Sequence, residues 1–190
     1  MNHNTSKKYV WLTIIISAVL GGLAAFVQTV ERINYALHPS SPLTCDINSV
    51  FSCTNVFDAW QSSVFGFSNS VMCLVFFAVT LGVGLAGITA EIGKYVRLAM
   101  HFFALFFLGF GAWYLQQSAF SISSLCIFCI FCYGGVIGLN WAWLRINVND
   151  LPVSPSVISK IKVGISHGAD TLFWALWAIA ISGMFIYKFA

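Results

Sequence analysis

Charged side chains divide the chain into long apolar intervals. Lys8 and Glu31 bracket the uninterrupted stretch Tyr9 to Val30, and Asp58 and Glu91 bracket an interval whose apolar part runs from Val71 to Ala90. Between Arg97 and Arg145 no acidic or basic side chain occurs apart from His101. That leaves room for two spans and a turn, which Gln116, Gln117, Ser118, Ser121, Ser123 and Ser124 supply. Asp170 and Lys188 bracket a fifth apolar run through Trp174 and Trp177. A helix needs about 20 apolar residues to cross the hydrocarbon core, and a charge is costly inside it. The pattern therefore predicts five transmembrane helices, roughly 9–30, 71–90, 98–117, 123–144 and 171–187, in an all-α, polytopic membrane protein. The first interval exceeds the apolar core of a secretion signal, about 7–15 residues, and no small-x-small cleavage site closes it, so it is expected to stay in the mature protein.

Composition narrows the class. Of the 190 residues 59% are hydrophobic and 8% charged, against about a quarter charged in ordinary soluble domains. Disorder, which needs low hydrophobicity and high charge, is excluded. The net charge of +3 comes from scattered basic residues, so no nucleic-acid partner is expected. The basic residues also set an orientation. With the N-terminus in the cytoplasm, Lys7, Lys8, Lys94, Arg97, Arg145, Lys160 and Lys162 lie inside, and Arg32 and Lys188 outside. Residues 31–70 then form one large outer loop, the turn 116–124 shares that face, and the segment 146–169, with Pro152 and Pro155, is a cytoplasmic connector.

The chemistry lies in the cysteines. Cys45 and Cys53 fall in the outer loop, and Cys126 and Cys129 in the first turn of the fourth span, so four of the six cysteines lie at a face where disulfides persist. Cys126-Ile127-Phe128-Cys129 is a CxxC pair whose sulfurs leave one helix face a turn apart. At a helix start, with Ser123 or Ser124 as N-cap, unpaired N–H groups and the positive dipole end stabilise a thiolate. Cys73 and Cys132 read as small packing residues. The run Cys126, Cys129, Cys132 offers three metal ligands with no histidine beside them, where structural zinc wants four, so no metal is expected. After Cys53, the residues Val56, Phe57, Trp60 and Val64 recur at helical spacing, which predicts one short amphipathic helix on the membrane surface, capping the outer ends of the spans.

In order and spacing, Cys45-Asp46, the seven residues between Cys45 and Cys53, Val56-Phe57, Ser68-Asn69-Ser70, Cys126-Ile127-Phe128-Cys129 and Tyr133 resemble the vitamin K epoxide reductase (VKOR) family over residues 9–145. The resemblance implies a four-helix transmembrane bundle plus a fifth transmembrane helix, forming a single membrane domain over 1–190. It implies a membrane thiol-disulfide oxidoreductase that couples protein disulfides to a quinone, either ubiquinone or menaquinone, and supports disulfide-bond formation. In that carry-over Cys129 faces the quinone and Cys126 exchanges with the loop pair. Cys53 resolves onto Cys126, and Cys45 meets the external protein. Asn69 and Tyr133 match positions that hydrogen-bond the quinone oxygens, and Phe57 matches a residue of the capping helix.

Many bacterial members continue into a thioredoxin-like domain, whereas this sequence stops at Ala190. The expected partner is thus a separate periplasmic thioredoxin-fold (DsbA-like) protein, with the chain in a bacterial inner membrane, its N-terminus cytoplasmic and its redox loop periplasmic. The additional Cys132 has no counterpart in this scheme. Two other readings stand beside it: a quinone or quinone-epoxide reductase that draws electrons from outer-face thiols, and a non-enzymatic membrane protein whose loop is stapled by a disulfide.

Overall fold

A computed structural model describes residues 3–40 and 43–190, with side chains from residue 8 onward in the first stretch. The side chain of Lys7, counted above among the inner charges, lies outside the described residues. Among the described residues seven α-helices follow one another: α1 (His3–Leu37), α2 (Cys53–Asp58), α3 (Asn69–Thr89), α4 (Lys94–Gln117), α5 (Ile127–Asn147), α6 (Pro155–Ser166) and α7 (Ala169–Phe189). Five segments are long and apolar enough to cross a membrane: Lys8–Leu37, Asn69–Thr89, Lys94–Ile122, Ile127–Asn147 and Ala169–Phe189. The protein is a multi-pass helical membrane bundle.

Helix α5 is central and packs against α1, α4 and α7, while α1 also packs along α3. The core between them is largely apolar and aromatic, with Ser17, Thr80, His101 and Asn140 buried within it. Trp11 meets Trp143 edge to face at 5.9 Å, and Phe76 of α3 stacks on Phe107 of α4 at 4.3 Å. Without a hydrophobic driving force between helices in lipid, close backbone approach and dispersion hold such a bundle together. Gly135 of α5 shows how close the approach is: a Cβ there would stand 2.9 Å from the Ser17 carbonyl oxygen and 3.3 Å from the Gly21 Cα, both backbone atoms of α1. At the end of the bundle away from the cysteine loop, two ion pairs tie the helices to their neighbours. Arg97 meets Asp150 at 2.7 Å, and Arg145 grips Asp170 of α7 at 2.6 and 3.0 Å.

The structure departs from the hydropathy reading in four places. First, α1 runs to Leu37, about two turns past Val30, because Glu31, Arg32 and Tyr35 find partners on the loop that folds over the bundle. Second, the amphipathic segment after Cys53 is broken: α2 ends at Asp58, Ala59 is extended, and a 3₁₀ turn covers Trp60–Ser63. The Phe57 carbonyl accepts from Arg32 and from Ser62 Oγ and so is taken out of the helix. Val56 and Phe57 point inward, whereas Trp60 and Val64 are exposed. Third, the connector 146–169 contains α6, with Pro155 in its first turn where the missing N–H costs nothing. Fourth, the turn before α5 is a π-type coil over Ser118–Ile122 followed by Ser123 in the left-handed region, φ 56°.

That turn also moves the cap of α5. Leu125 N–H donates to the Val50 carbonyl at 2.7 Å, and Phe51 and Leu125 form an isolated parallel bridge. The chain therefore stays extended up to Cys126, which is itself the N-cap residue. Ser124 is engaged elsewhere, accepting from Asn55 Nδ2 at 2.9 Å.

Candidate functional site

The cysteine loop is built around one carboxylate and one amide. Asp46 accepts from Ser52 Oγ at 2.9 Å and from Thr54 N–H at 3.1 Å, and also from the Thr54 hydroxyl. Burial alone would raise its carboxyl, but the hydrogen bonds from Thr54 and Ser52 outweigh burial and hold it below its ordinary value. Asn48 Oδ1 accepts from Val50 and Phe51 N–H at 2.9 and 2.8 Å, an Asx turn. These bonds fold residues 45–54 tightly enough for Cys45 and Cys53 to form a disulfide, with Cα atoms 5.6 Å apart. The side chain of Glu31 on α1 anchors this loop by accepting from Thr44.

The bridge between Phe51 and Leu125 sets the next relationship. Cys53 and Cys126 follow these two residues closely, and their sulfurs lie 3.6 Å apart. Both are buried, as is Cys45, in a cluster with Leu43, Val56, Phe57 and Tyr114. Cys126 precedes the span at the N-cap. There the Cys129 thiol and the backbone N–H groups of Cys129 and Phe128 lower its thiol against the opposing effect of burial. Cys126 and Cys129 are not bonded to each other or to another cysteine.

Behind the CxxC pair lies a narrow cavity with an open mouth. Among its lining residues are Phe57, Asn69, Cys129 and Tyr133, so four of the seven residues singled out from the sequence meet in one space, and the other three form the sulfur chain leading to it. Phe57 closes the cavity from the loop side, with the Arg32 guanidinium 5.2 Å from its ring centre. Asn69 Nδ2 donates to the Gln61 carbonyl at 2.7 Å, which leaves Asn69 Oδ1 buried without a partner among the described residues. The Tyr133 ring forms one wall, and it fits because position 111 is glycine: a Cβ on Gly111 would stand 2.6 Å from the ring. Its hydroxyl donates to the Leu108 carbonyl at 3.3 Å and accepts from Trp177 Nε1 at 2.9 Å.

Gln28, Gly111 and Trp177 belong to the site but are not singled out for it by the sequence. Gln28 of α1 lines the cavity and its Nε2 donates to Cys129 Sγ at 3.2 Å. Its signal was available, as the one amide side chain in the charge-free interval 9–30, on the same helix stripe as Glu31 and Tyr35. Gly111 and Trp177 carried no such signal, because glycine and tryptophan are ordinary in membrane helices. Of the remaining cysteines, Cys73 lines the cavity and Cys132 does so while donating to the Gly21 carbonyl at 3.4 Å. Among the described residues, no group of three or more His, Cys, Asp or Glu side chains stands close enough to hold a metal ion.

No curated protein matches the chain. The model of the Vitamin K epoxide reductase family matches residues 12–144, which takes in the loop disulfide, the CxxC pair and most of the cavity wall.

Proposed function

Since this chain belongs to the vitamin K epoxide reductase family and is an oxidoreductase by that membership, we propose that it passes electrons from a thioredoxin-fold partner, through Cys45–Cys53 and then Cys126–Cys129, to a quinone. The observation that carries this reading is the 3.6 Å separation of Cys53 and Cys126 sulfurs, with Cys129 on the cavity wall one turn further. A disulfide that only stapled the loop would have no need of a thiol at that distance.

The relay proceeds by thiolate attack on disulfides. A thiolate of the reduced partner attacks Cys45, and Cys53 leaves as thiolate. The partner's second thiol then displaces Cys45 and the partner departs oxidised. Cys53 attacks Cys126 of an oxidised CxxC pair, releasing Cys129, and Cys45 closes back onto Cys53, releasing Cys126. Each exchange breaks one S–S bond and makes one, and two electrons move inward. A bonded Cys45–Cys53 with free Cys126 and Cys129 is the arrangement this sequence leaves.

The cavity suits a quinone. Its walls include the rings of Phe107, Phe110, Tyr114 and Tyr133, and the unpartnered Asn69 Oδ1 is open to a ligand O–H, since buried polar atoms are ordinarily satisfied. A bound quinone supplies an acceptor for two electrons and two protons. Cys126 and Cys129 lose two of each as their disulfide forms. Tyr133, its lone pair occupied by the Trp177 N–H, can turn its O–H from the Leu108 carbonyl toward a ligand oxygen, and Phe57 with the loop keeps water from the sulfurs. The distribution of basic residues supports a topology with the cysteine loop on the outer face; in a bacterial inner membrane that is the periplasmic side, where a separate partner would dock.

The test is turnover of the purified protein with a reduced thioredoxin-fold oxidase and ubiquinone-1 or menadione as acceptor. Quinol formation is expected from the native chain and is expected to vanish in Cys126→Ala and Cys129→Ala. Turnover retained by either variant would rule the relay out.

A further inference from the structure

α1 handles its polar side chains in two different ways. Thr13 and Thr29 bond back to carbonyls one turn earlier, Tyr9 at 3.0 Å and Ala25 at 2.7 Å, which is the local solution open to a short hydroxyl. Gln28 is buried at the same level, yet it sends its amide across the bundle to the sulfur of Cys129 at 3.2 Å. A buried amide in a membrane span is costly and marks function when it has a specific partner. Thr29 Oγ1, which also reaches Ser70 Oγ at 3.0 Å, ties α1 to α3 beside it and fixes the rotation of α1.

The two thiols of the CxxC pair differ in what can stabilise their negative charge. Cys126, at the N-cap, has the free N–H groups of the first turn. Cys129 stands one turn inside, its own N–H bonded to the Cys126 carbonyl at 3.1 Å, and the titratable groups that face it are the Cys126 and Cys132 thiols and the Tyr114 hydroxyl, with Cys73 on the same cavity. We infer that Gln28 is a catalytic residue of this site, whose amide N–H stabilises the Cys129 thiolate from which the electrons leave. The role of the thiolate rests on the quinone relay proposed above, and the hydrogen bond itself does not. In the step concerned the Cys126–Cys129 bond forms, two electrons and two protons leave the dithiol, and the quinone takes up both of each.

The test reads the thiolate directly. In the full chain carrying Cys126→Ser, reconstituted in lipid nanodiscs, the rate of N-ethylmaleimide labelling at Cys129 is followed against pH by peptide mass spectrometry, with no quinone or partner present. Losing one hydrogen bond to a charged group is expected to lower the thiolate fraction roughly tenfold. Gln28→Leu should therefore shift the Cys129 labelling midpoint upward by about one pH unit, while Cys73, on the same cavity, labels as before. Gln28→Glu, which keeps the side-chain size but sets a carboxylate against the sulfur, should shift it at least as far. A Cys129 midpoint unchanged in either variant overturns the assignment. Should the native chain reduce no quinone while both shifts appear, the relay fails and the role of Gln28 toward the thiolate stands.

Discussion

Trp177 donates its indole N–H to the hydroxyl of Tyr133 at 2.9 Å. The donor belongs to α7, beyond the residues that match the family, and the acceptor is a wall of the cavity. A helix that otherwise lies on the outside of the bundle, with much of its surface exposed, thus reaches the site through one side chain. Its anchor at the other end is the pairing of Arg145 with Asp170, supported by Trp141 Nε1 on Thr171 Oγ1 at 3.0 Å.

This contact predicts a selective defect. Trp177→Phe keeps an aromatic ring against Tyr133 and removes one neutral hydrogen bond, worth about 1 kcal/mol or roughly fivefold. The KM for quinone should rise by about that factor, while the rate of dithiol exchange with the protein partner stays unchanged. Introduced on a Tyr133→Phe background, the same substitution should have no further effect, because the hydroxyl it supports is gone. Steady-state kinetics of the four proteins in a double-mutant cycle checks this.

The sulfur contact between the loop and α5 predicts a trapped species. With Cys45→Ser and Cys129→Ser together, neither Cys53 nor Cys126 retains its resolving partner. Mild oxidation should then join Cys53 to Cys126 in most molecules, since their sulfurs already stand 3.6 Å apart. Non-reducing digestion and mass spectrometry should recover the linked peptide, and its absence would mean that the loop does not rest on α5 in solution.

Asp46 predicts how the loop responds to acid. Its carboxyl is held below the ordinary 3.8 by Thr54 and Ser52 despite burial, so its contribution to loop stability is fully present above that value. The contribution is lost as pH falls through the depressed native value, because protonation removes the acceptor. Reduction of Cys45–Cys53 by a phosphine, which acts in acid, should therefore accelerate as pH drops below about 3.8, beyond any intrinsic dependence of the reagent. Asp46→Asn should be reduced faster than the native chain at neutral pH and should lack the acid-dependent rise.

Much of the molecule was legible from local pattern. Charges such as Lys8, Arg97, Arg145 and Asp170 fall within a turn of where the long helices begin or end, because the cost of burying a charge in hydrocarbon is paid residue by residue and needs no knowledge of neighbours. The family was legible too, since resemblance is carried in order and spacing, and four residues it pointed to, Phe57, Asn69, Cys129 and Tyr133, line one cavity. Where that reading missed, a distant partner had overridden the local pattern. Glu31 and Arg32 lengthened α1 by binding the loop, Arg32 and Ser62 ended α2 at the Phe57 carbonyl, and Val50 held Leu125 extended so that Cys126 became its own cap.

By itself, then, the sequence determined five membrane spans and, through its ordered motifs, the family. Only the tertiary structure decided which sulfur faces which, that Gln28 serves Cys129, and that Trp177 serves Tyr133. Spans follow from the transfer of each segment into lipid, a sum over its own residues. Contacts such as Cys53 with Cys126 depend on how each helix is rotated about its axis and how deeply it sits against the next. Those rotations are set by packing, at Gly135 against Ser17 and Gly21 and at Gly111 against Tyr133, between residues far apart along the chain.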